Sequence, residues 1–274
     1  MAELTPPQDP AALDLAQMRA LSSSAKAPFN ARAAGRVSVR EEVIAGRPTI
    51  IIAGRDAPPV VHLHGGGWSI GSARDHLSLL VGLHRASGRT VIAPHPRQAP
   101  EHPFPAPVDD VAAIMAAIAP RYGRVHLSGD SAGAHLAIHA ALRGASLISL
   151  ILAYGCLRRV FDTPSHKRFG DGTVGLSTNR MRAFWDWFDP EGASDLTRAD
   201  LSSLPPAQLH AANVDVLRDD TLWLDQTLYG LGRSAELHMW PGMSHGFLHY
   251  SEELTTAQRA FQTMAAFMDQ LDAY

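Results

Sequence analysis

Gly129-Asp130-Ser131-Ala132-Gly133 sets a serine between two glycines, after a strand-like segment, Arg124–Ser128, and before a helix-like one, Ala134–Arg143. A chain that turns from strand to helix within so few residues forces the central serine into a strained backbone conformation. Flanking glycines keep side chains out of that turn. The hydroxyl then stands above the strand end, at the positive end of the following helix. That is how a serine is presented as a nucleophile. A turn that merely packs a helix on a strand has the same pentapeptide, and only the flanking elements favour the chemical reading.

Such a serine needs a base, and a carboxylate to orient that base. Asp215 follows the strand-like Gln208–Val214, and His245 follows the strand-like Ser234–Trp240. Both therefore sit at carboxyl ends of strands, where open α/β sheets place their sites. The chain order Ser131, Asp215, His245 is one in which these triads occur. Asp219 and Asp220 compete for the acid but fall within the next helix. His249 competes for the base but lies beyond the loop read at Gly242–Gly246.

His64-Gly65-Gly66-Gly67-Trp68 ends another strand, Val60–Leu63. Consecutive glycines leave bare backbone N–H groups free to face a cavity, which a developing oxyanion needs, and the amide of Ala132 would complete the set. A phosphate-binding loop is the rival reading, but no Lys-Ser/Thr follows the glycines. His62 with His64, and His135 with His139, have spacings that could hold a metal. Neither pair has an adjacent carboxylate or cysteine, so no metal and no cofactor is expected. Phe184-Trp185-Asp186-Trp187-Phe188 reads either as a substrate wall or as the packing face of a surface helix.

The elements that must position these groups alternate along the chain. Val37–Val43 and Pro48–Ala53 read as a hairpin through Ala45-Gly46. Thr90–Ala93, Val125–Leu127 and Leu147–Ala153 read as further central strands. Helical spacing marks Pro10–Leu21, Val108–Ile118, Asp219–Leu231 and Glu252–Leu271. Strands alternating with helices imply a mostly parallel central sheet flanked by helices on both faces. The reading is one α/β domain over residues 36–274, with residues 1–35 and approximately 155–205 as additions to it.

Composition narrows the classes of function. A chain of 274 residues can bury a substantial core, and 46% hydrophobic with 19% charged residues is a globular balance. A net charge of −3 gives no surface for nucleic acid. The one cysteine, Cys156, cannot form an internal disulfide. MAELTPPQDP has no basic segment followed by an apolar run, and no stretch approaches the roughly 20 apolar residues of a membrane span. A cytoplasmic protein without membrane insertion is the expectation.

Five segments together resemble the hormone-sensitive lipase branch of the α/β-hydrolases, the bacterial family IV esterases. They are HGGGW at 64–68, APEHPFPAPVDD at 99–110, GDSAG at 129–133, DVLRDD at 215–220 and PGMSHGF at 241–247. The likeness runs from about Pro58 to Phe267. It implies an α/β-hydrolase fold with a small helical cap built from the two additions. It also implies Ser131 as nucleophile, His245 as base, Asp215 as its partner, and an oxyanion hole of Gly66, Gly67 and Ala132, with Gly65 shaping the turn.

The chain departs from that family at His95-Pro96-Arg97-Gln98-Ala99-Pro100-Glu101, where Pro96 stands at a usual tyrosine. Arg97 and Glu101 are kept and are expected to brace the glycine loop. Val216 replaces a usual proline, and the short N-terminal segment implies a smaller cap.

The activity expected is hydrolysis of short-chain carboxylic esters, with a small-molecule ester as the partner and a homodimer as the family's frequent state. An amidase or arylformamidase would use the same machinery. A ligand-binding receptor on this scaffold would lack a triad member. Trp68, His135, Trp185, Met243 and Phe247 neighbour the motifs and are the candidates for the pocket wall.

Overall fold

Strand formation follows the β-branched runs, and the computed structural model describes residues 14–273. Ala45 and Gly46 both take positive φ, 49° and 75°, the geometry a two-residue hairpin turn requires. They join β1 (Val39–Ile44) to β2 (Arg47–Ile52) in antiparallel register, Val43 opposite Pro48. Next come β3 (Arg55–Leu63), α2 (Leu77–Ser87), β4 (Arg89–Pro94), α3 (Ala106–Tyr122), β5 (Val125–Asp130), α4 (Ala132–Leu142) and β6 (Leu147–Ala153). After α5 (Pro164–Phe169) and α6 (Thr178–Phe188), the chain closes with β7 (Ala207–Val214), α7 (Arg218–Gly230), β8 (Ala235–Ser244) and α8 (Thr255–Asp272). The first helix, α1, is Leu15–Ala34.

The eight strands form one sheet in the order β1-β2-β4-β3-β5-β6-β7-β8. From β4 to β8 every neighbouring pair is parallel, while β2 runs antiparallel to both β1 and β4. The winding direction reverses between β3 and β5, so their carboxyl ends open a crevice.

The central strands are buried on both faces, and successive side chains alternate between two core layers. Val61, Leu63, Leu127, Leu150 and Leu152 join a core with α3, α4 and α7. Val60, Val91, Ile151 and Ala153 face α2 and α8 on the other side. Arg89, fully buried at the start of β4, ties this second layer down. It donates to the Pro58 carbonyl at 2.9 Å and to Asp269 and Asp272 on the last turns of α8 at 2.6 and 2.5 Å.

Three elements depart from the sequence reading. The first is α2, which that reading did not mark. Seven of its eleven residues are buried, Ser78 and Ser87 among them, so its polar residues do not outline one exposed face. The second is α1, which overlaps the helical stretch read at Pro10–Leu21 but runs on to Ala34 with Pro28 inside it; residues 10–13 of that reading lie outside the described residues. The third is β8, which continues through Gly242 to Ser244. After an irregularity Ser244 pairs with Val214, so the loop read at Gly242–Gly246 is largely strand. Among the described residues no helix is long and apolar enough to cross a membrane.

Candidate active site

The turn from β5 into α4 holds Ser131 at φ 54°, a conformation a non-glycine residue rarely adopts. The backbone around it is pinned on both sides. The Ser131 amide donates to the Ala153 carbonyl at 2.9 Å, and its carbonyl accepts from Ala134 and Cys156 at 3.1 and 3.2 Å. The helix that follows lies so close to β3 that a Cβ on Gly133 would sit 1.9 Å from the Leu63 carbonyl oxygen. Only glycine permits that approach.

Two neighbouring strand ends deliver the partners. Asp215 follows β7 and His245 follows β8 directly. The His245 Nδ1–H donates to Asp215 Oδ2 at 2.8 Å, leaving Nε2 to accept from the Ser131 hydroxyl at 3.1 Å. The Leu217 amide holds the other Asp215 oxygen at 3.0 Å, and the Asp215 side chain is fully buried. The edge of the Tyr154 ring packs on His245, with centroids 4.9 Å apart. Asp219 and Asp220 are occupied elsewhere. Asp219 accepts from the Ser165 amide, while Asp220 takes the amides of Leu157 and Arg158 and the Arg158 guanidinium.

The glycine run after β3 passes over the serine. Gly66 and Gly67 have φ of 118° and 55° and share one cavity of about 290 Å³ with Ser131 and His245. Among the described residues the amides of Gly66, Gly67 and Ala132 donate to no backbone or side-chain acceptor, so they are free to meet a developing negative charge. Gly65 has a different task, because its amide is spent on Asp130 Oδ1 at 2.8 Å. That bond fixes the loop to the residue preceding the nucleophile.

The loop's further bracing differs from expectation. Arg97 turns away and grips Asp110 with Nε and Nη2 at 3.0 and 2.8 Å. Glu101 instead holds Arg19 of α1, which pulls its carboxyl down to about 2, and Arg19 Nε reaches the loop at the Ser69 carbonyl, 2.8 Å away. Gln98 donates to the carbonyls of Ile70 and Gly71, both at 3.0 Å.

The expected pocket wall is also elsewhere. Trp68 stacks on Phe188 at 4.3 Å and meets Trp185 and His135 at 4.6 and 5.2 Å, all within the core. Phe247 packs on Tyr154 and Trp240, and Met243 lies against the α2–α8 layer. None of these five side chains lines the cavity. Its wall is Ser22, Ala25, Lys26 and Phe29 of α1, Leu176 before α6, and Arg180, Met181 and Phe184 of α6. Of the aromatic run at 184–188, Phe184 faces the site while Trp185 and Phe188 are buried in packing.

A histidine cluster backs the cavity, assembled from segments too far apart in sequence to reveal it. Asp130 Oδ1 lies 3.3 Å from His62 Nε2 and 3.4 Å from His76 Nε2, and the histidines hold its carboxyl well below the usual range despite burial. His76, Asp130 and His249 bring ligand atoms within 4.8 Å of one another, a spacing a metal could use. The Lys26 ammonium acts on this cluster, and burial together with that charge lowers the affinity of His76 and His249 for protons. The same charge opposes a metal cation. The pairs weighed for metal in the sequence do not meet as sites. His135 and His139 both donate to the Ser194 carbonyl, and His62 and His64 have different partners.

A model of the alpha/beta hydrolase fold family matches residues 60–249. The chain is 33% identical over 230 residues to an acetyl-hydrolase of Streptomyces hygroscopicus, covering 79% of this chain and 77% of that one. It is 32% identical over 225 residues to the carboxylesterase NlhH of Mycobacterium tuberculosis, covering 74% and 70%. An esterase structure from the bacterial hormone-sensitive lipase family superposes with a TM-score of 0.89 at 25% identity, covering 96% of this chain and 94% of that one.

Proposed function

The chain belongs to the alpha/beta hydrolase fold family, and on that footing we propose that it is a serine carboxylesterase that cleaves short-chain esters through an acyl-enzyme on Ser131. The observation that carries this reading is the unbroken hydrogen-bond chain Asp215–His245–Ser131 opening into the cavity. His245 Nε2 takes the hydroxyl proton as Ser131 Oγ attacks the ester carbonyl. Asp215 holds the imidazole in the tautomer that can accept this proton and stabilises the imidazolium formed. The amides of Gly66, Gly67 and Ala132 receive the oxyanion, where a single such donor is worth roughly 3 kcal/mol. His245 then protonates the leaving alcohol. Water repeats the sequence against the acyl-enzyme to free the acid.

A cavity of about 290 Å³ lies at the small end of ligand sites and supports short acyl chains. Residues 14–34 and the segment holding α6 supply its outer wall, which supports their role as a modest cap. The reading is tested with 4-nitrophenyl esters from acetate to palmitate and with a fluorophosphonate probe. Acetate to butyrate should be turned over fastest, and the probe should label Ser131. Ser131→Ala should lose about a thousandfold in turnover while its circular dichroism is unchanged. Near-normal hydrolysis by that variant, or preference for palmitate, contradicts the proposal.

A further inference from the structure

Two cationic side chains face the cavity that holds Ser131, and neither forms a salt bridge among the described residues. Arg180, in the first turn of α6, lines that cavity. Its Nε is buried and meets no hydrogen-bond acceptor. Lys26, midway along α1, lines the same cavity from the opposite cap element. Among the described residues most other half-buried cations have a carboxylate, as Arg97 has Asp110, Arg158 has Asp220 and Arg19 has Glu101, while Arg233 has the Leu204 carbonyl.

A guanidinium withdrawn from water without a counter-charge is costly, and proteins ordinarily pair one. Burial alone acts on Arg180, with no carboxylate offsetting it. Lys26 feels Asp130 and Asp75, but neither comes within 4 Å of it. Asp130 is already engaged by the Gly65 amide, His62 and His76, and Asp75 by Ser23 and Ser72. The histidines on this wall, His76 and His249, are held towards the neutral form by burial. The cavity wall therefore carries two cations against one carboxylate, Asp130, in a place where low dielectric strengthens any charge pair.

We infer that the cavity selects esters carrying a carboxylate, which pairs with the Arg180 guanidinium, with Lys26 as the second positive group. The inference rests on the proposed esterase activity and specifies its substrate class. The carboxylate could belong to the acyl part, as in a monoester of a dicarboxylic acid, or to the alcohol part, as in an acetylated hydroxy acid. The chemistry at Arg180 is the same in both.

Matched substrates separate these sources. On the acyl side, monomethyl glutarate is compared with methyl pentanoate. On the alcohol side, acetoxyacetate is compared with acetoxyacetamide, and hydrolysis is followed by pH-stat. In at least one arm, kcat/KM for the anionic ester should exceed that of its neutral partner by about tenfold or more, as one charge-assisted hydrogen bond provides. Arg180→Met should cut that ratio at least about tenfold, chiefly by raising KM for the anionic ester, and Arg180→Lys should restore part of it. Lys26→Met should lower the ratio by a smaller factor. Fluorophosphonate labelling of each variant verifies that its catalytic serine is intact.

Wild-type protein that hydrolyses the neutral ester as well as the anionic one in both arms overturns the inference, with no variant needed. An unchanged ratio in the double variant Arg180→Met/Lys26→Met does the same. If no ester of either kind is cleaved, the esterase proposal itself fails.

Discussion

Acidification from pH 7.5 to 5.5 should remove a large share of this protein's stability, because the fold holds histidines neutral that the unfolded chain protonates. Five are affected most: His64, His126, His135, His210 and His249, each buried, with burial the leading cause of a lowered pKa. His126 is lowered to about 4 and His210 to about 3. Their hydrogen bonds agree with a neutral ring. His210 Nδ1 accepts from the Trp240 indole N–H, which requires a bare nitrogen, and His135 Nδ1 has no acceptor for a second proton.

A histidine whose pKa is lower in the fold than its ordinary 6.5 contributes full stability above that value. The contribution is lost as pH falls toward the folded pKa, because only the unfolded chain gains the proton. Each such group costs about 1.4 kcal/mol per pH unit over that window. One unit below 6.5, five groups amount to roughly 7 kcal/mol, against a typical total of 5–15 kcal/mol. Asp220 works the other way. Burial pushes it up to about 6, and it offsets less than about 1 kcal/mol of the loss at pH 5.5. Thermal unfolding followed by circular dichroism should show Tm falling by about 10–12 °C between pH 7.5 and 5.5. A fall of less than about 5 °C would refute the argument that these rings stay neutral.

Two substitutions probe how the site is held. Gly133→Ala places a Cβ against the Leu63 carbonyl, so β3 and α4 must separate; the urea midpoint should report a loss of about 2 kcal/mol or more, and fluorophosphonate labelling should slow. Arg89→Met removes the partner that Asp269 and Asp272 share and should cost about 1–2 kcal/mol by the same measurement, discounted because both carboxylates reach solvent, with the α8 amides losing hydrogen-exchange protection first.

Much of the candidate site was legible because its parts are local. A serine elbow, a glycine run and two polar residues after strands each announce themselves within a few positions. The hairpin through Ala45-Gly46 was legible for the same reason, since only a tight turn needs that pair. What escaped was set by packing between distant segments. The helix α2 buries two of its serines, so its polar residues do not outline its exposed side. The substrate wall was sought in aromatic residues next to the motifs, yet Trp68, Trp185 and Phe247 are drawn into the core by their size. The residues that do line the cavity, Lys26 and Arg180 among them, lie on helices whose position over the sheet no spacing encodes. The clustering of His62, His76 and His249 about Asp130 was hidden by up to 187 residues of separation between its members.

The cavity has two owners. Its floor, with the groups proposed to make and break bonds, comes from the ends of β3, β5, β7 and β8, locked by backbone geometry that tolerates almost no change. Its roof comes largely from α1 and α6. Drift in the roof can therefore alter which molecule is admitted while leaving the bond-cleaving apparatus untouched. In such an architecture, selectivity and reactivity are inherited separately.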